Sequence, residues 1–252
     1  MSKGFDSLKH KAVQSEDGSF TAYSTEFEEH YHSTKDGALN ESLSKHILPA
    51  LKHTEEREEI TILDVCFGLG FNTLATLHAL GNSKKKINIY SPEFDEELVY
   101  SLKDFDYPEE FNRFQEIILA LSKGQKYSSE NLNITIYLGD AREFVRETEV
   151  KFDVVYQDAF SPKSNPLLWT SEYFRDISAV MKDDAILTTY STSLSTRIAL
   201  HENDLGVYLH KGDGFRNSTL ASKSVLDDYE KVDVEHKMRC NPKVGSLKDR
   251  DL

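Results

Sequence analysis

Cysteine is scarce. The chain has only Cys66 and Cys240, far apart and in no Cys-x-x-Cys pair, which excludes a disulfide framework or a cysteine-built zinc site and suits a reducing compartment. Long apolar runs are missing too. Nowhere do about 18 consecutive apolar residues occur, and the stretch before His10 lacks the apolar core of a secretory leader. A cytoplasmic protein with no membrane partner is therefore expected. Basic charge is in deficit: 30 Lys and Arg stand against 43 Asp and Glu, a formal net charge of −13. That weighs against a general nucleic-acid binder, because phosphate affinity comes largely from Lys and Arg. The deficit is uneven, since residues 1–210 hold 21 basic and 35 acidic side chains and residues 211–252 hold 9 and 8. A local basic surface remains open at the C-terminal end. No repeat or low-complexity linker divides the chain.

At 252 residues the chain can bury a core without staples. From about residue 60 strand and helix signals alternate, the pattern of parallel βαβ units. Strands are expected at 60–66, 87–91, 133–138, 152–157 and 185–190, each ending in small or acidic residues. Phe71, Leu74, Leu77 and Leu80 make a buried helical stripe, with Gly81 placed to end it. Short runs at 206–210 and 218–221, separated by Gly212-Asp213-Gly214, predict a closing antiparallel hairpin. Residues 94–132 are longer than a simple crossover and carry helical spacing at Phe111, Phe114, Ile118 and Leu121. Near the N-terminus, Phe20, Tyr23, Phe27 and Tyr31 precede an expected helix over 37–51. The reading is one domain: an N-terminal extension (1–55) packed on the sheet, a core (56–222) with a helical insertion (94–132), and a tail (223–252).

The first strand runs into Cys66-Phe67-Gly68-Leu69-Gly70, a turn that lets backbone approach a ligand and leaves N–H groups free at a helix start. The third glycine of a dinucleotide fingerprint is lacking. Carboxylates stand at successive strand tips: Asp64, Glu93 and Asp140. A carboxylate after the second strand can accept from both hydroxyls of a ribose, which selects Glu93, with Asp95 as the fallback. One after the third strand suits an adenine amino group, which selects Asp140. Asp158 follows the fourth strand, where a carboxylate can hold an amine during methyl transfer; a turn role before Ser161-Pro162 competes. His30-Tyr31-His32 spaces two imidazoles but lacks a third ligand, so no metal site is expected. Trp169 could stack on a base, against the alternative of core packing. Ser191, Ser193 and Ser195 have no Gly-x-Ser-x-Gly context, so hydrolase chemistry is unsupported. These residues predict an α/β, Rossmann-like, class I S-adenosylmethionine-dependent methyltransferase with helices on both sheet faces.

Several segments resemble the methyltransferase domain of the tRNA 5-methylaminomethyl-2-thiouridine biosynthesis enzyme MnmC: Tyr31-His32-Ser33 with Gly37 to Ser42, Phe67-Gly68-Leu69-Gly70-Phe71-Asn72, Leu138-Gly139-Asp140-Ala141, and the most specific, Asp158-Ala159-Phe160-Ser161-Pro162-Lys163-Ser164-Asn165-Pro166-Leu167-Leu168-Trp169. The resemblance spans about residues 18–221. It implies S-adenosylmethionine as cofactor, bound by Phe67, Gly68, Gly70, Asn72, Glu93, Asp140 and Ala141, with Asp158 at the methyl-transfer site. It implies methylation of an aminomethyl group on the wobble uridine of tRNA, in a stand-alone form with no FAD, the amine being prepared by separate enzymes. Cys66 stands where the family usually has a glycine. Substrate contacts are expected at Trp169 and at the basic tail residues Lys237, Arg239 and Lys243. The alternatives are a non-catalytic RNA-binding or scaffold protein of the same fold, or a small-molecule amine methyltransferase or aminopropyltransferase.

Overall fold

A computed structural model describes residues 5–16, 18–35, 37–212 and 215–252. The elements in chain order begin with β1 (His10–Gln14), β2 (Phe20–Ser24) and β3 (Glu29–His30), then α1 (Ala38–Ser42), a π-helical turn (Leu43–Ile47) and α2 (Leu48–His53). There follow β4 (Glu59–Val65), α3 (Phe71–Leu80), β5 (Lys86–Glu93), α4 (Glu96–Ser101), α5 (Gln115–Gly124), β6 (Lys126–Ser128), β7 (Leu132–Leu138), α6 (Ala141–Glu147) and β8 (Phe152–Gln157). The last are α7 (Ser171–Val180), β9 (Met181–Thr189), α8 (Leu194–His201), β10 (Gly206–His210), β11 (Ser218–Ser222), β12 (Glu230–Lys231) and α9 (Val234–Cys240).

Among the described residues the main sheet has nine strands, in the order β12-β10-β11-β9-β8-β4-β5-β7-β6. Its centre is parallel, through the pairs β4/β5, β4/β8, β5/β7 and β8/β9. Alternate side chains of the central strands feed opposite layers. Ile60 and Ile62 join α3, α5 and the N-terminal segment in one core, while Leu63 and Val65 join α6, α7 and α8 in the other. Both faces are thus buried, which is why these strands read as β-branched and apolar rather than as alternating polar and apolar. β10 and β11 form the expected antiparallel hairpin, and β11 also pairs antiparallel with β9. Part of the glycine turn expected between them, Asp213 and Gly214, lies outside the described residues. The class I methyltransferase fold expected from the sequence is the fold observed.

Three features depart from the sequence expectation. The aromatics near the N-terminus lie on or beside a three-stranded antiparallel sheet, β1-β2-β3, whose Ala22 shares a core with Phe5, Ile47 and the main sheet. The helix expected over 37–51 runs from Ala38 to His53 and carries a π-helical turn in its middle. The C-terminal segment is no loose tail. It forms α9, after which Leu247 bridges to Thr170 and accepts from the Ser171 N–H at 2.8 Å. Asp249 takes a two-pronged ion pair from Arg142 at 2.9 and 2.6 Å. Edge strands β6 and β12 are also present, too short for a periodicity to declare them.

Candidate active site

β4 is the first core strand, and its neighbours β5 and β8 lie on opposite sides of it. The chain order reverses there, and in open α/β sheets ligands bind outside the carboxyl ends of the strands at such a switch point. A cavity of about 1410 Å³ opens at this position. Cys66, Gly68, Glu93, Asp140 and Ala141 line one part of it, Asp158, Phe160, Tyr190 and Ser193 another, and Phe27, Glu29 and Tyr31 of the N-terminal sheet form its roof.

The turn after β4 is built from left-handed backbone. Cys66, Gly68 and Gly70 have φ of +64°, +54° and +73°. Cys66 therefore keeps the turn in a conformation that glycine adopts more readily. A Cβ on Gly70 would lie 2.7 Å from the Phe67 ring, and one on Gly68 would meet the Tyr31 ring at 3.1 Å. Phe67 is buried and packs under the turn rather than lining the cavity. Glu93 braces the turn from the tip of β5. Its carboxylate accepts from the Gly68 N–H and the Asp95 N–H, each at 2.8 Å. Burial raises the Glu93 carboxyl above its ordinary value, opposed by these backbone hydrogen bonds.

Asp95 has a different task. It caps α4 through the Leu98 N–H and pairs with His10 at 3.1 Å; His10 in turn meets the Tyr31 hydroxyl at 3.2 Å. Although burial pushes it upward, the His10 contact and the cap bond hold the Asp95 carboxyl at about 2. Asp140 caps α6, where its Oδ1 accepts from the Arg142 N–H at 2.6 Å.

Asp158 leads the loop after β8. Its Oδ2 accepts from Asn72 Nδ2 at 2.8 Å, and its Oδ1 lies 3.4 Å from His46 Nε2. The side chain is 16% exposed, toward the cavity. Asn72 also approaches Asp64 Oδ1 at 3.4 Å, and Thr73 donates to Asp64 Oδ2 at 2.8 Å. Burial pushes the Asp64 carboxyl up to about 7, against the Thr73 hydrogen bond, with the nearby Asp158 adding to the rise. Burial acts upward on Asp158 as well, but the imidazoles of His46 and His32 and the Asn72 amide outweigh it and hold its carboxyl below the ordinary value. The two acids thus diverge, the buried one toward the neutral form and the cavity-facing one toward the anion, a split of the kind that separates acid and base roles.

The loop after Asp158 is clasped from above. Glu29 accepts from the Ser161 N–H at 2.9 Å, the Ser164 hydroxyl at 2.8 Å and the Ser161 hydroxyl. Phe27 stacks on Phe160, with ring centroids 4.7 Å apart. Trp169 requires a correction. It is 1% exposed and donates its indole N–H to the Phe160 carbonyl at 2.7 Å, so no face is open to a base and its effect on the cavity runs through Phe160. Asn72, expected at the cofactor, is instead engaged with Asp158 and Asp64. Lys237, Arg239 and Lys243 are exposed on and just after α9, and none lines the cavity. Among the described residues no cluster of three metal-ligating side chains occurs, and His30 and His32 pack on different rings, Tyr23 and Phe71. No described helix is long and apolar enough to cross a membrane.

The sequence reading missed His46, His10 and Glu29. His46 is hidden in a helical stretch, His10 in a short strand and Glu29 in an acidic run, and no local spacing ties any of them to the strand tips.

A mostly parallel sheet with a closing hairpin and acids at its strand tips is the class I methyltransferase fold. A family model described as S-adenosyl-L-methionine-dependent methyltransferase matches residues 107–224. The crystal structure of MnmC2 from Aquifex aeolicus superposes with a TM-score of 0.82 at 30% identity, covering 98% of this chain and 81% of that one. At 30% identity over most of both chains, this chain belongs to the family of MnmC2 and is an S-adenosyl-L-methionine-dependent methyltransferase. The tRNA 5-methylaminomethyl-2-thiouridine biosynthesis bifunctional protein MnmC of an Azoarcus species is 28% identical over 219 residues, 79% of this chain and 33% of that protein. An uncharacterized protein of Methanocaldococcus jannaschii is 35% identical over 199 residues, 76% of this chain and 53% of that protein. The chain thus spans between a third and about half of the length of these two relatives.

Proposed function

We propose that this methyltransferase acts on the exocyclic aminomethyl nitrogen of a wobble uridine in tRNA, giving 5-methylaminomethyl-uridine or its 2-thio form. The observation that carries this is Asp158: a carboxylate facing the cavity, hydrogen-bonded by Asn72 at 2.8 Å and held below its ordinary value by its His46 and His32 neighbours. A carboxylate so placed captures an amine, and the likeness to MnmC supplies the tRNA context. A cavity of about 1410 Å³ exceeds the usual range of about 300–1,000 Å³ for one small ligand, leaving room for a cofactor and the reacting end of a larger acceptor. Lys35 and Arg216 line it as well, cationic groups suited to a phosphate.

The residues fit S-adenosylmethionine. Glu93 is buried and uses its carboxylate on two backbone N–H groups, which leaves lone pairs for the ribose hydroxyls. Gly68 and Gly70 keep the turn free of side chains that would close on Tyr31 and Phe67, and Asp140 and Ala141 border the same end of the cavity. When bound, the cofactor supplies an electrophilic sulfonium methyl. Asp158 accepts a hydrogen bond from the amine, orients its lone pair for in-line attack on the methyl carbon, and takes the proton that the nitrogen must lose. The aminomethyl group itself comes from a separate activity that installs it.

Two measurements test this. Calorimetry with S-adenosylmethionine should show micromolar binding; an absent heat overturns the cofactor site. Nucleoside mass spectrometry of aminomethyl-uridine tRNA incubated with protein and cofactor should show a gain of one methyl group on that base. Methylation only of free small amines would overturn the tRNA assignment.

A further inference from the structure

His46 is a fully buried titratable group 3.4 Å from Asp158. It sits in the π-helical turn Leu43–Ile47. Such turns are rare and recur at functional sites because the extra residue re-aims a side chain. Here the ring points between the ends of β8 and β9. Nδ1 is 2.9 Å from Thr188 Oγ1, and the ring lies edge-on to Tyr156 with centroids 6.1 Å apart. Nε2 lies 3.4 Å from Asp158 Oδ1, within ion-pair reach, but it makes no hydrogen bond.

An unpartnered buried ring nitrogen is costly, and an apolar ring of similar shape would avoid the cost. Packing alone therefore does not explain an imidazole here. Its tautomer follows from its neighbours. If Nδ1 carried the proton, Nε2 would direct a lone pair at a carboxylate; if the Thr188 hydroxyl donates to Nδ1, Nε2 carries the proton toward Asp158 and the contact is attractive.

We propose that His46 is a positioning residue for methyl transfer, presenting Nε2–H to Asp158 so that the carboxylate is held in the rotamer that receives the amine. This rests on the assignment of Asp158 as the amine acceptor. The titratable groups facing Asp158 are His46 from the π-helical turn, His32 from the segment after β3, Asp64 from β4, Cys66 from the turn after it, and Tyr190 at the end of β9. His46 is faced in turn by Asp158, Asp64, His32 and His210. An Nε2–H directed at Oδ1 from 3.4 Å favours the ionised carboxylate, and the His46 contact leads those that lower the Asp158 carboxyl against burial. Its loss therefore lets Asp158 bind a proton at higher pH.

The test is the pH profile of kcat/KM for aminomethyl-uridine tRNA with full-length protein. His46→Leu should lower kcat about 10-fold to 100-fold and move the acid limb up by about one pH unit, with the KM for S-adenosylmethionine unchanged. His46→Gln, which retains an N–H donor, should return the limb toward its original position. Thr188→Val should reproduce part of the shift with little change in shape, which covers a His46 variant that fails to fold. A uniform loss of activity with an unmoved acid limb in His46→Leu and Thr188→Val assigns the imidazole to packing and overturns the proposal. Nitrogen-15 NMR of the full-length protein gives a readout that needs no acceptor: His46 should be the Nε2–H tautomer, and an Nδ1–H tautomer overturns the proposal. If the wild-type protein does not methylate the tRNA, the assignment of Asp158 falls while the NMR result still judges His46.

Discussion

Asp158→Asn keeps the shape of the side chain while removing its charge and most of its basicity. Turnover is expected to fall roughly 10²-fold to 10⁴-fold, with S-adenosylmethionine affinity kept within about 0.5 kcal/mol. Single-turnover methylation and calorimetry on the same preparation check both halves, and lost cofactor binding would make Asp158 a cofactor or folding residue instead. Asp64 has the opposite environment. Its carboxyl is raised from 3.8 to about 7 in the folded protein, so between roughly pH 4 and 7 the folded state holds a proton that the unfolded chain has released. Ionisation in that window favours unfolding, and stability contributed through this group falls as pH rises. Asp64→Asn, with no proton to lose, should flatten that decline by on the order of 2 kcal/mol when urea denaturation at pH 5 and pH 8 is compared with wild type. A variant whose pH dependence matches wild type would show that Asp64 ionises normally.

At the scale of elements, the N-terminal sheet is joined to the strand tips at two separate places. His10 reaches Asp95 at the tip of β5, and Glu29 clasps the Ser161 and Ser164 loop beyond β8. Serine donors and burial act oppositely on Glu29, and the hydrogen bonds hold its carboxyl below the ordinary value. Glu29→Ala leaves three donors of that loop unmatched and frees the backbone that carries Asp158 and Phe160. The KM for tRNA should rise about 10-fold or more, in line with about 1.4 kcal/mol per decade, while S-adenosylmethionine affinity changes little. Steady-state kinetics with both substrates separate the two effects. An equal loss in both would place the clasp under the whole cavity rather than its acceptor end.

For the whole molecule, the C-terminal segment matters through one ion pair more than through its charge. Arg142 lines the cavity and is 9% exposed, and Asp249 supplies its carboxylate partner. Asp249→Ala leaves a mostly buried guanidinium uncompensated, at a cost of about 1–3 kcal/mol once the partial exposure of Asp249 is discounted. In a chain of this size that lowers Tm by a few degrees. S-adenosylmethionine affinity should weaken with it, because the start of α6 borders the same cavity. Thermal melts with and without cofactor check this. An unchanged melt would mean that the segment is held by its other contacts, among them Leu247 with Ser171 and Lys248 with Glu202.

The sequence by itself determined the parallel core, the turn after its first strand and the acids at the strand tips. Each is a local statement: β-branched runs at Ile60 and Ile87, left-handed backbone at Gly68 and Gly70, and a carboxylate at or just past a strand end. The stripe from Phe71 to Leu80 ended at Gly81 as its spacing required. Tertiary structure alone decided the partners. His46 and Asp158 are 112 positions apart and Glu29 and Ser161 are 132 apart, so no periodicity connects them; only the packing of the N-terminal segment over the sheet edge brings them within hydrogen-bonding or ion-pair reach. Trp169 was ambiguous for the same reason. An indole that stacks on a base and one that packs in a core read alike in sequence, and only the neighbours that exclude water decide between them.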